Sequence, residues 1–170
     1  IRAALSIRLK ESLDTGCILR REHDQVRRLL RGLEGIPGAH VLAAHVHERL
    51  GIASFYLDHL HYNLVVRLLS DRFGIQSRGG CSCAGTYGHY LLHVGRQQSE
   101  AITSRIDRGD LSVKPGWVRL SIHPTTPDAE IDTLVEAVDA IAREGERWGR
   151  DYTYSPASNE FRHTRAEASG

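Results

Sequence analysis

The chain has 170 residues, enough for one domain with a sizeable core. Hydrophobic residues make up 41% and charged residues 25%, an ordinary globular balance, and a net charge of +1 excludes a broad electrostatic case for nucleic acid or an anionic membrane surface as partner. No apolar run has the length of a membrane span and no signal-peptide core opens the chain, and an odd number of cysteines, 3, argues for reduced thiols, so a cytoplasmic protein is expected. The chain opens on Ile1 and holds no methionine, which suggests a piece of a longer protein.

Ile1, Leu5, Leu9 and Leu13 stand at fourfold spacing and predict a first helix. A second is marked by Val26, Leu29, Leu30 and Leu33 on one face, with Arg21, Arg27, Arg28 and Arg31 largely off it as a solvated face; Gly35 and Pro37-Gly38 end it. Val41 to Val46 and Ile52 to Leu57 are β-prone runs, expected as an antiparallel pair. A third helix, His61 to Phe73, buries Leu64, Val65, Leu68 and Leu69 and is stopped by Gly74. Tyr90-Leu91-Leu92 predicts a short helix and Gln97 to Arg108 a polar one.

In Trp117 to His123, Val118, Leu120 and Ile122 alternate with Arg119 and Ser121. Alternation at period two sends the apolar set to a core and aims Arg119 and Ser121 away from it, toward solvent or a ligand. Thr126 is placed to cap a last long helix with Pro127 in its first position, and Ile131, Leu134, Val135, Val138, Ile141 and Ala142 form its buried stripe. Tyr152 to Gly170 is a polar tail punctuated by aromatics, expected on the surface. The order predicts an α/β protein of the α+β two-layer sandwich kind: a small, mainly antiparallel sheet with helices packed on one face and the other face partly bare.

The segment with the most chemistry is Arg78-Gly79-Gly80-Cys81-Ser82-Cys83-Ala84-Gly85-Thr86-Tyr87-Gly88-His89, a glycine-rich loop carrying two of the cysteines. Glycines allow positive φ and close approach, and Arg78, five residues before Cys83, can stabilise a thiolate. Cys81 and Cys83 are too close in sequence for an easy mutual disulfide. With His89 and His93 they offer two thiolates and two imidazoles, so a zinc site is a competing reading, although one-residue spacing is unusual for a structural zinc knuckle. A free-standing interaction module, using the bare sheet face as a protein contact, is another.

The run from Asn63 through Phe73-Gly74-Ile75-Gln76 and the loop Arg78 to Gly85, followed by Pro115-Gly116-Trp117-Val118-Arg119-Leu120-Ser121 and the helix start Asp128-Ala129-Glu130-Ile131, resembles the C-terminal small domain of class V aminotransferases. These are fold type I pyridoxal-phosphate enzymes, a group that includes cysteine desulfurases and selenocysteine lyases. The likeness covers about Ile1 to Arg143. It implies a small domain over residues 1–150 with a tail over 151–170, and a large N-terminal domain outside this chain that would hold the cofactor phosphate and the cofactor-binding lysine. Lys10 and Lys114 match no such lysine, so the isolated chain is expected neither to bind pyridoxal phosphate nor to turn over. The resemblance implies that Arg119 grips the α-carboxylate of an amino-acid substrate, that Arg78, Gly79, Gly80, Cys81 and Ser82 line the active-site loop, with Arg78 also binding substrate, and that Cys83 stands where desulfurases carry the nucleophile that attacks substrate sulfur or selenium. Two departures accompany it. Desulfurases usually have histidine where this chain has Ser82, and the Tyr-Asn that follows the arginine strand in many members is replaced near Pro124-Thr125. The full-length relative would be a homodimer.

Overall fold

The computed structural model describes residues 2–80, 85–92 and 94–167. After α1 (Arg2–Ser12) and α2 (Thr15–Glu34) come β1 (Ala39–Val41), β2 (Ile52–Leu57), α3 (Tyr62–Phe73) and β3 (Arg78–Gly80). They are followed by α4 (Gly85–Leu91), α5 (Arg96–Asp107), β4 (Trp117–Ser121), α6 (Asp128–Gly149), β5 (Tyr152–Ser155), β6 (Glu160–His163) and α7 (Thr164–Glu167). Four strands form an antiparallel sheet in the order β1-β2-β4-β3, and β5 and β6 form a separate hairpin.

Alternation in the strands decides where the core lies. Ala53, Phe55 and Leu57 of β2 and Val118 and Leu120 of β4 point to one face and are buried there against Val26, Leu29 and Leu33 of α2, Leu64, Val65 and Leu68 of α3, and Ile131, Val138 and Ile141 of α6. The stripes expected in α2 and α3 are buried, and that of α6 is buried at Ile131, Val138 and Ile141 and partly at Leu134, Val135 and Ala142; the two-layer α+β arrangement follows from them. Burying these side chains, each worth about 1.5–3 kcal/mol, is the main force holding helices to sheet.

Several local features depart from the sequence expectation. α1 forms, but Leu5 and Leu9 of its stripe remain 60% and 63% exposed, because no described element covers them. The first β-prone run is a strand only over Ala39–Val41; Leu42 to His45 turn, with Ala43 at φ 52. The first three residues of the glycine-rich loop pair with β4 as a strand, and its last residues begin a helix. Thr126 does not cap α6. Pro127 occupies the cap position at φ −64 and ψ 151 without a side-chain hydrogen bond, and the Thr126 hydroxyl instead accepts from the His123 amide at 3.2 Å. Buried Gln25 of α2 ties this turn down by donating to the Thr126 carbonyl at 2.6 Å.

The expected polar tail over 151–170 contains the β5–β6 hairpin, packed on α3. Tyr152 is buried in the core, and its hydroxyl donates to Asp71 at 3.0 Å; burial and that carboxylate push the tyrosine up to about 12. Asn159, in the left-handed region at φ 57, donates to the Tyr62 hydroxyl at 2.7 Å and accepts from the Tyr154 hydroxyl at 2.9 Å, while the Asn63 amide donates to its carbonyl. A buried polar group costs little once it is paired in this way, which explains how a polar stretch can pack on a core.

His61 joins hairpin to helix and makes stability pH-dependent. Its ring stacks on Tyr62 and contacts Tyr154 and Phe161, and its Nδ1 accepts from the Asn63 amide at 3.1 Å as the cap of α3. The ring proton therefore sits on Nε2, which is buried without a partner. Burial pushes the imidazole below its ordinary pKa of 6.5. The unfolded chain then binds a proton that the folded chain refuses, so this contribution is complete above about pH 6.5 and is lost as pH falls from there through the folded value. The urea midpoint is expected to drop between pH 7 and pH 5, and His61→Asn, which keeps a capping acceptor, should flatten that slope; an unchanged slope in the variant would contradict the assignment. Asp110, held at about 2 by the Ser112 hydroxyl and Arg105, titrates well below this window.

Candidate functional site

On the face of the sheet away from the helices, β4 presents Trp117, Arg119 and Ser121, β2 presents Ser54 and Tyr56, and β3 presents Arg78. The register makes Arg119 the direct partner of Ser54 on one side and of Arg78 on the other, so hydroxyl, guanidinium and guanidinium stand in a row across three strands. Cβ atoms of such directly opposed residues lie about 5 Å apart. Arg119 is half-buried and Arg78 is exposed on the edge strand. The Arg119 Nε is buried with no hydrogen-bond partner, and neither arginine has an acidic partner among the described residues. A buried donor left unpaired costs roughly 1–3 kcal/mol, more when charged, so its position marks a place where an acceptor fits.

A cleft of about 400 Å³ opens on the same face, lined by Leu42, Ile52, Ser54, Tyr87, Leu91 and Trp117. Trp117 is buried although it points away from the main core, covered here with Tyr87 and Leu91 of α4 beside it. This face is thus apolar at the Trp117 end and cationic along the Arg119 row.

β3 is held in place by two glycines with different reasons for being glycine. A Cβ on Gly79 would come within 2.6 Å of the Asn63 Oδ1 and 3.1 Å of Tyr62 and Val66, so the strand lies directly on α3. Gly80 has open space around it but a φ of 113, a conformation other residues rarely adopt. This contact and this turn fix Arg78 opposite Arg119.

The sequence-predicted residues Arg78, Gly79, Gly80 and Arg119 are therefore brought together. Cys81, Ser82 and Cys83 lie outside the described residues, as does His93 of the zinc reading; among the described residues no group of three or more histidine, cysteine or acidic side chains could hold a metal ion. Cys17, exposed at the start of α2, is a free thiol remote in sequence from this loop. Sequence reasoning passed over Ser54, although the alternation of Ala53, Phe55 and Leu57 already puts Ser54 and Tyr56 on the face of Arg119.

The donors on this face are of a kind that pairs with an anion. They do not include a lysine: Lys10 is exposed on α1, and Lys114 is half-buried in the turn before β4. No helix among the described residues is long and apolar enough to cross a membrane.

Comparison with solved structures gives the same fold. A cysteine desulfurase of Thermococcus onnurineus NA1, solved without ligand, superposes with a TM-score of 0.60 at 24% identity, over 81% of this chain and 29% of that one. The cysteine desulfurase CsdA of Escherichia coli, solved in an S-sulfonic acid form, gives a TM-score of 0.53 at 19% identity, over 80% of this chain and 28% of that one. This chain thus spans less than a third of either structure. Among curated proteins there is no match. The profile of the family described as Aminotransferase class-V matches residues 1–134, most of the chain, and carries the arginine strand and the glycine-rich segment within it; the chain belongs to the class V aminotransferase family.

Proposed function

We propose that this chain is the C-terminal, substrate-gripping domain of a pyridoxal-phosphate enzyme that transforms an amino acid. The reading is carried by Arg119: a half-buried guanidinium on the sheet face away from the helices, with its Nε unpaired among the described residues and a hydroxyl and a second guanidinium beside it. A planar guanidinium binds a carboxylate through two parallel hydrogen bonds, which fixes the plane of the substrate as well as its position. Arg119 would hold the α-carboxylate, and the row of strands would orient the amino group toward the cofactor.

Pyridoxal phosphate, when bound, supplies the electron sink. The groups that hold its phosphate and the lysine that binds it would come from an N-terminal large domain, whose docking would cover this face and exclude water from the Arg119 row. The active unit would be a cytoplasmic homodimer. For this chain alone, incubation with pyridoxal phosphate followed by borohydride reduction is expected to leave no stoichiometric adduct on Lys10 or Lys114 by mass spectrometry. A stoichiometric adduct on either would overturn the division of labour between the two domains.

A second reading, cysteine desulfuration with Cys83 as nucleophile, is favoured by the spacing from Arg78 to Cys83 and by the fold shared with two cysteine desulfurases. The thiolate would attack the substrate's sulfur, leaving a persulfide on the enzyme and alanine as product. Assaying the cofactor-loaded full-length enzyme with L-cysteine separates the two readings. Equimolar alanine and sulfide in the presence of reductant, lost on Cys83→Ser, favours desulfuration; turnover that survives Cys83→Ser favours another amino-acid reaction.

A further inference from the structure

Arg78 and Arg119 are partners across the β3–β4 ladder, so two guanidinium side chains leave one face of the sheet from directly opposed positions. Like charges in this arrangement destabilise a sheet. Other arginines of the chain do meet acids: Arg21 meets Asp128 at 2.7 Å, Arg28 meets Asp132 at 2.6 Å, Arg67 meets Asp71 at 2.9 Å and Arg105 meets Asp110 at 2.5 Å, whereas Arg49 turns to backbone carbonyls. Arg78 and Arg119 have no such acid among the described residues, and the Nε of Arg119 is buried without an acceptor. One carboxylate has two oxygens, and a bidentate contact with Arg119 uses both. The guanidinium of Arg78 then still faces the site with its charge uncompensated.

We propose that the site takes an acidic amino acid, with its α-carboxylate on Arg119 and a second, side-chain acid group on Arg78. This rests on the reading of Arg119 given above and adds the substrate class. Arg78 lies on the edge strand and is exposed, so its long side chain can meet acid groups at more than one distance from the α-carbon. Ser54, on the far side of Arg119, supplies a neutral hydroxyl and does not compete for the second charge.

The test uses the 170-residue chain at low ionic strength, following the arginine Nε–H resonances by NMR while L-alanine, L-aspartate or L-glutamate is added. All three are expected to move the Arg119 signal, and the better of the two acidic probes to bind about three- to fivefold more tightly than alanine, the size of an exposed ion pair. Arg78→Gln should erase that preference by weakening the acidic probes more than alanine, and Arg78→Lys, which keeps the charge, should retain it. Because Arg78 is exposed, both variants keep the fold, which far-UV circular dichroism verifies. Equal affinity for the three probes, or a preference that survives Arg78→Gln, overturns the proposal and leaves the role of Arg119 standing. An Arg119 signal that no probe moves overturns that role and this proposal together.

Discussion

Replacing Arg119 by alanine in the cofactor-loaded full-length enzyme is expected to lower kcat/KM for the amino acid by about a hundredfold to a thousandfold, mostly through KM, and to leave the cofactor's absorbance unchanged. Truncating one partner of a desolvated, hydrogen-bonded charge pair costs roughly 2–5 kcal/mol, and each 1.4 kcal/mol is a factor of ten. Arg119 falls in the middle of that range, since its Nε is already withdrawn from water and has no competing partner among the described residues to release. Arg119→Lys separates charge from geometry. Lysine would restore the charge but not the two parallel hydrogen bonds, so it should recover only a small part of the loss. Unchanged kinetics in either variant would remove Arg119 from the site. A cofactor spectrum altered along with KM would assign the residue to the cofactor instead.

Gly79→Val is expected to destabilise the chain by about 2–3 kcal/mol, the cost of forcing extra atoms into filled space, and to impair substrate binding as well. The obstacle is room. A Cβ there would meet the Asn63 Oδ1 at 2.6 Å and Tyr62 and Val66 at 3.1 Å, and both Tyr62 and Asn63 are in turn held by Asn159 of the hairpin, so these two cannot give way cheaply. The strand would have to lift off α3, carrying Arg78 out of register with Arg119. Urea unfolding of the chain gives the stability change, and a midpoint within error of the unsubstituted chain would show that β3 does not depend on this contact. Gly80→Ala makes the contrast: its neighbourhood is empty, and its cost comes only from φ 113.

The helical layer was legible because its signals are local and strong. Val26, Leu29, Leu30 and Leu33 in α2, and Ile131, Val138 and Ile141 in α6, repeat at helical spacing and are all buried. The same holds for β4, where alternation alone aimed Arg119 off the core. What escaped the sequence depends on contacts between distant segments. Arg78–Gly80 becomes a strand only because β4 offers it a ladder, and nothing in a Gly-Gly pair indicates that. The hairpin over 152–163 lacks a strong alternation and is fixed by Asn159, Tyr62 and Asp71, whose proximity no local pattern reveals. The stripe of α1 shows the converse: a periodic apolar pattern predicts a helix correctly without ensuring that the same chain covers it. The pairing of Arg78 with Arg119 was likewise invisible, since it is set by register across strands separated by α4 and α5.

In the proposed function the Arg119 guanidinium, on the sheet face away from the helices, receives the substrate's α-carboxylate. The most direct test of that contact is a crystal structure of the full-length enzyme with an unreactive amino-acid analogue. The account predicts both carboxylate oxygens within about 3 Å of the Arg119 guanidinium, Nε included. An Arg119 side chain paired instead with an acid of the large domain, with the carboxylate bound elsewhere, would contradict it.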